Sequence, residues 1–166
     1  MKLKVAQPGV HPDKHEWAAI FDKLLNRCGG VCEARTEACL APADGRLERL
    51  TRSQVSVQHR RARGAGGTSL EATHFLDNLL LLCGTGTTGC HGWVETQERA
   101  AGVAMGFVLP HSYDDGRPVQ AWRYPVRIWG GRWRVLHPFY ADYEPVPSHL
   151  QHAVEAPVIL TGPDRY

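Results

Sequence analysis

The chain has no apolar run of about 18 residues, so no stretch reads as a membrane span. Its start, MKLKVAQPGVHPDKHEW, turns polar too early for a secretory leader. The expected location is therefore the cytoplasm, with no membrane partner. Net charge is also small: +2 over 166 residues is too weak to demand nucleic acid, so local arginine clusters matter more than the sum. There is no internal repeat, no recognition helix and no base-reading motif. Without an export signal the five cysteines do not read as a disulfide framework. A reducing compartment keeps thiols for metals or catalysis.

What is present is an ordinary globular composition, 43% hydrophobic and 22% charged, long enough to bury a core, with 17 glycines and 11 prolines that point to loops and short elements. Residues 15–27, HEWAAIFDKLLNR, followed by Cys28, space Trp17, Ile20, Phe21, Leu24 and Cys28 as the apolar stripe of a helix. Pro12 and Asp13 suit its start, and Gly29-Gly30 stops it. Residues 31–46 read as a loop carrying two cysteines. In residues 54–60, QVSVQHR, Val55, Val57 and His59 alternate with Gln54, Ser56 and Gln58, the pattern of a strand with one apolar face. A glycine-rich basic loop over 61–69 precedes NLLLLC at 78–83, a second strand buried on both faces, and the two make a hairpin. A short helix is expected to start at or near His91, with Trp93, Val94, Gln97, Ala101 and Ala104 on one face.

From Gly106 the character changes. YPVRIWGGRWRVL alternates around Gly130-Gly131, a hairpin turn, and Pro145, Pro147, Pro157 and Pro163 mark an extended tail. The expected organisation is an α+β chain: a packing helix in 1–28, a core over 29–104, a β extension over 105–144 and a tail over 145–166.

Six residues separate Cys32 from Cys39, and six separate Cys83 from Cys90. The hairpin would bring the pairs together, and four thiolates are a ligand set for tetrahedral zinc. The rival is a group of free buried cysteines packed as small hydrophobes. Cys28 falls on the helix stripe and reads as core; a Cys28 and Cys32 chelating pair that leaves Cys39 free is the other zinc arrangement.

Three stretches in order, GGVCEARTEAC at 29–39, VQHRRARGAGGT at 57–68 and NLLLLCGTGTTGCHGWVE at 78–95, resemble the HNH endonucleases. The likeness is to the ββα-metal nucleases that carry a four-cysteine zinc, and most to small versions encoded by phages of actinobacteria. The resemblance implies a ββα-metal core stapled by zinc and hydrolysis of DNA phosphodiesters with Mg²⁺ or Mn²⁺. His59 would be the general base, because an imidazole of pKa about 6.5 can deprotonate water at neutral pH. His91 would hold the divalent ion, which can stabilise the leaving oxygen. Asn78 would position the His59 loop or touch the metal; its bland alternative is a turn cap.

The chain departs from the family pattern twice. Gln58 stands where an Asp or His usually precedes the base, and a neutral amide brings no charge to a hard cation. Strand alternation would also point it away from His59. Glu95 stands one helical turn after His91 where many relatives have a further histidine, so a carboxylate could complete the site; otherwise it is an exposed helix residue. Arg60, Arg61 and Arg63 follow the base directly, with Arg49 and Arg52 before it, and are expected to contact phosphate. Trp122, Trp129 and Trp133 are expected in the core of the C-terminal hairpin, with stacking on single-stranded bases as the alternative. By resemblance the partners would be DNA and a phage terminase or portal during packaging. The competing readings are a zinc-stapled binding module without catalysis and a structural component of a packaging complex.

Overall fold

In the computed structural model, which describes residues 12–41, 49–62, 71–112, 116–151 and 154, the chain is α+β. Arg63, most of the 61–69 loop and the tail beyond 154 lie outside the described residues. Helix α1 spans Lys14–Cys28. Asp13 caps it by accepting from the backbone N–H groups of His15 and Glu16, while the Glu16 side chain reaches back to the Asp13 N–H; these bonds fill donors that the first turn leaves orphaned. Gly29, at φ 63°, ends it in the left-handed conformation.

Strands β1 (Val55–His59) and β2 (Leu79–Cys83) pair antiparallel, with Val55 opposite Cys83 and His59 opposite Leu79. The five β2 residues are all buried because both faces are covered. Leu79 and Leu81 pack with Phe21, Leu24 and Cys28 of α1; Leu80 and Leu82 pack with Trp93, Val94 and Phe107. Cys28 is thus a core thiol, and burial pushes its pKa up to about 11.

Beyond β2 the chain forms a short helix α2 (Gly89–Gly92), a π-helical turn over Trp93–Gln97 and a helix α3 (Arg99–Ala104). The expected single stripe does not survive this turn. A wider turn shifts the phase of every later residue, so Gln97 and Ala104 are exposed while Gly102 is buried. No other residue fits at 102, since an added Cβ would lie 2.8 Å from the Val94 carbonyl oxygen.

The C-terminal part forms a three-stranded antiparallel sheet of β3 (Val126–Ile128), β4 (Arg132–Leu136) and β5 (Tyr143–Glu144). Its turn, Trp129–Gly131, is a 3₁₀ turn in which Gly131 takes a φ of 73°. Val126, Ile128 and Leu136 belong to the same core cluster as Leu80 and Leu82, so the extension is packed into the core over 29–104 rather than hung from it. Trp129 packs at the edge of that cluster, whereas Trp122 is exposed. Among the described residues, no helix is long and apolar enough to cross a membrane.

Candidate metal centre and the two faces of the hairpin

The Cys32–Cys39 loop and the loop between β2 and α2 meet at the Val55–Cys83 end of the hairpin. The ligand atoms of Cys32, Cys39, Cys83 and Cys90 all lie within 4.8 Å of one another. Tetrahedral zinc with thiolates at about 2.3 Å requires sulfurs about 3.8 Å apart, and Cys83 Sγ lies 3.8 Å from Cys39 Sγ. The donor set therefore fits a metal such as zinc. Cys28 is not among these ligands.

The backbone around the cluster is shaped for sulfur. The N–H groups of Thr36, Leu40, Cys83 and Cys90 donate to Sγ atoms of the quartet at 3.3, 3.3, 3.3 and 3.4 Å. Such donors stabilise thiolates, the form that binds metal. Hydrogen bonding from Cys32 also holds the Cys39 thiol down at about 7. Gly84 and Gly89 permit the tight return between Cys83 and Cys90: at φ 84° and 60°, an added Cβ would strike Thr88 O and Cys83 O at 2.1 and 2.6 Å.

His91 follows Cys90 and turns to β1. Its Nδ1 lies 2.6 Å from Ser56 Oγ, and Ser56 Oγ lies 2.6 Å from the Gly84 carbonyl. A carbonyl only accepts, so the Ser56 hydroxyl donates to Gly84 and must accept from Nδ1–H of His91. This assigns the proton to Nδ1 and leaves a lone pair on Nε2. Burial holds the His91 pKa below its ordinary value, with Glu95 acting in the opposite sense, so the ring is neutral at neutral pH and able to ligate.

Glu95 lies on the π-helical turn and accepts from the Gln58 amide at 2.6 Å, with Arg99 at 3.7 Å from its other oxygen. Gln58 is buried and the strand is regular, so alternation does send it away from His59 as expected. It also sends it toward Glu95. Ser56, Gln58, His91 and Glu95 form one polar set on this face.

His59 projects to the opposite face of β1. Its Nε2 lies 3.4 Å from His74 Nδ1, and Trp17 of α1 meets both rings edge-on, with centroids 6.1 and 5.3 Å away. The structure thus brings His91, Glu95 and Gln58 together and sets His59 on the other side of the same strand end. Ser56 and His74 were not singled out from sequence. Ser56 is one of the polar positions in the β1 alternation, a signal that could have found it; His74 carries no periodic signal.

Asn78 is buried at the far end of the hairpin. Its Oδ1 accepts from Arg61 N at 2.7 Å, and its Nδ2 donates to Thr73 O at 2.9 Å and Arg61 O at 3.3 Å. It therefore pins the chain that follows His59.

Arg60 and Arg61 require a correction, because neither guanidinium lies on a solvated loop. Arg60 is fully buried and donates to the carbonyls of Gly106, Asp77, Ala121, Tyr124 and Pro125. Desolvation lowers its pKa to about 10. Arg61 is 2% exposed and donates to Val119 O and Thr73 Oγ1. Both bind backbone oxygens where phosphate contact was expected.

A second buried cation, Arg27, pairs with Glu33 at 2.9 Å. Glu33 also accepts from Tyr143 Oη at 2.7 Å and from Leu81 N, and Arg27 donates to the carbonyls of Leu76 and Leu79. This network joins α1, the cysteine loop, β2 and β5. Sequence reading missed it because charged residues carry no apolar period.

The chain matches no family model, no curated protein and no solved structure.

Proposed function

We propose that the protein is a metal-dependent endonuclease of HNH type that hydrolyses DNA phosphodiesters. One observation carries this reading: His91 and Glu95, one turn apart and directly after a cysteine of the four-thiol cluster, dock on Ser56 and Gln58 of β1, the strand whose last residue is His59 on the opposite face. An imidazole nitrogen and a carboxylate are a ligand set for Mg²⁺ or Mn²⁺.

In this reading His91 offers Nε2 and Glu95 a carboxylate oxygen to the catalytic ion. When bound, a divalent ion neutralises charge on the phosphate and leaving oxygen. His59 takes the proton from the attacking water, and His74, 3.4 Å from its Nε2, orients the ring. Asn78 fixes the backbone just past His59. Because Gln58 and His59 are successive residues, the scissile phosphate would lie across the end of β1. One hairpin supplies one site, so the expected product is a nick.

A second reading, a zinc-stapled DNA-binding module without catalysis, is favoured by the Gln58 amide bound to Glu95. That bond occupies one carboxylate oxygen, and Gln58 brings no charge of its own.

Supercoiled-plasmid cleavage with Mg²⁺, Mn²⁺ or EDTA separates the two, using wild type and His59→Ala at matched zinc content. Metal-dependent nicking that falls at least about a hundredfold in the variant supports the nuclease, given the usual weight of a general base. Folded, zinc-loaded protein that shifts DNA but nicks with no metal supports the binding module.

A further inference from the structure

A groove of about 790 Å³ lies between the end of the β1–β2 hairpin and the segment that precedes β3. It is large enough for a small-molecule-sized group. Trp122 and Phe139 line it and are 39% and 58% exposed. Phe75 backs Phe139 with centroids 5.2 Å apart. The Arg123 guanidinium lies 4.8 Å from the Trp122 ring, and Arg117 is exposed on the same wall.

The floor is polar and incompletely bonded. Asp77 and Arg61 line the groove at 4% and 2% exposure, yet among the described residues Asp77 Oδ1 and Arg61 Nε have no hydrogen-bond partner. Leaving such atoms unpaired is costly. The two rings offer faces for stacking. Among the described lining residues, the exposed Arg117 and Arg123 outnumber the buried carboxylate of Asp77, so the groove also favours an anion.

We infer that this groove binds an unpaired nucleotide of a single strand, its base between Trp122 and Phe139 and its phosphates at Arg117 and Arg123. Base stacking on aromatic faces is sequence-tolerant and unavailable in an intact duplex. Asn78 lines the same groove and pins the chain after His59, so a strand held here continues toward the end of β1. The proposal rests on the nuclease reading for its use and names single-stranded or locally opened DNA as the substrate. An acidic protein segment would satisfy the arginines but would set a carboxylate against Asp77.

The test is fluorescence anisotropy of a labelled ten-nucleotide oligothymidylate with zinc-loaded protein and no added Mg²⁺ or Mn²⁺. Competitors are a blunt duplex and polyglutamate. Expected are preference for the single strand over both competitors and about tenfold weaker binding for Trp122→Ala or Phe139→Ala, with Trp122→Phe near wild type. Arg117→Ala with Arg123→Ala should weaken binding and flatten the salt slope by about 1.4, two single-strand phosphates. Both rings are exposed, and a thermal melt confirms that each variant is folded. Unchanged affinity in folded Trp122→Ala, equal binding of duplex, or equal displacement by polyglutamate overturns the proposal. Plasmid nicking that continues with a silent groove removes the groove alone; oligonucleotide binding with no nicking removes the nuclease and keeps the groove.

Discussion

The two ends of the β1–β2 hairpin are closed by different chemistry. At the Val55–Cys83 end, four cysteines from two loops converge on one point, and backbone N–H groups aim at their sulfurs. At the His59–Leu79 end, the Arg60 guanidinium is surrounded by carbonyl oxygens from the turn before β2 and from the segment leading to β3. One end gathers electron donors around a space for a cation from solution. The other gathers them around a cation built into the chain. His91 and Glu95 dock on one face of the hairpin, and His59 lies on the other face at the Arg60 end.

The largest expected effect comes from opening the cysteine end. Structural zinc supplies about 10–16 kcal/mol in small domains, which equals or exceeds the whole stability of a typical fold, about 5–15 kcal/mol. Cys83→Ser, or complete zinc removal, should therefore abolish the cooperative thermal transition followed by circular dichroism. A stripped protein that melts as before would show that the thiols pack without metal support.

Opening the other end should cost less and leave the metal alone. Arg60→Met removes a buried charge but strands its carbonyl acceptors, at about 1–3 kcal/mol for each one left dry. The expected loss is about 3–5 kcal/mol in urea unfolding, with one zinc per chain retained by elemental analysis. Loss of zinc together with stability would mean that the two ends fold as one unit and the comparison fails.

The smallest effect lies between the ends. Ser56→Ala removes the acceptor that fixes the His91 tautomer, so the ring should populate both neutral forms in ¹⁵N NMR, and Mn²⁺ affinity should fall about tenfold, the low end for losing a group that orients a metal ligand. Stability should change by no more than about 1 kcal/mol. A ring that keeps its proton on Nδ1 without Ser56 would assign the tautomer to another cause.

Much of the scaffold was legible in the chain itself. The stripe from Trp17 to Cys28, the Asp13 start and the Gly29 stop define α1, because helix periodicity and caps depend on residues within a turn or two. Alternation in 55–59 predicts that Gln58 and His59 lie on opposite faces of β1, but the fully buried residue is the polar Gln58, while Val55, Val57 and His59 are half-buried. Equal spacing within the two cysteine pairs, across a hairpin, points to the quartet that the fold assembles.

What the sequence could not decide was which distant group each polar side chain would meet. Arg60 and Arg61 read as a basic loop because composition knows nothing of carbonyls about sixty residues further on, which turn inward only when the segment before β3 packs on the hairpin. The π-helical turn that carries Glu95 likewise broke a stripe that local periodicity extends without a pause. Local order follows from short-range backbone and side-chain preferences and was therefore written in the sequence. The pairing of Ser56 with His91 and of Gln58 with Glu95, and the placing of Trp122 and Phe139 along one groove, depend on long-range packing, which tertiary structure alone supplies.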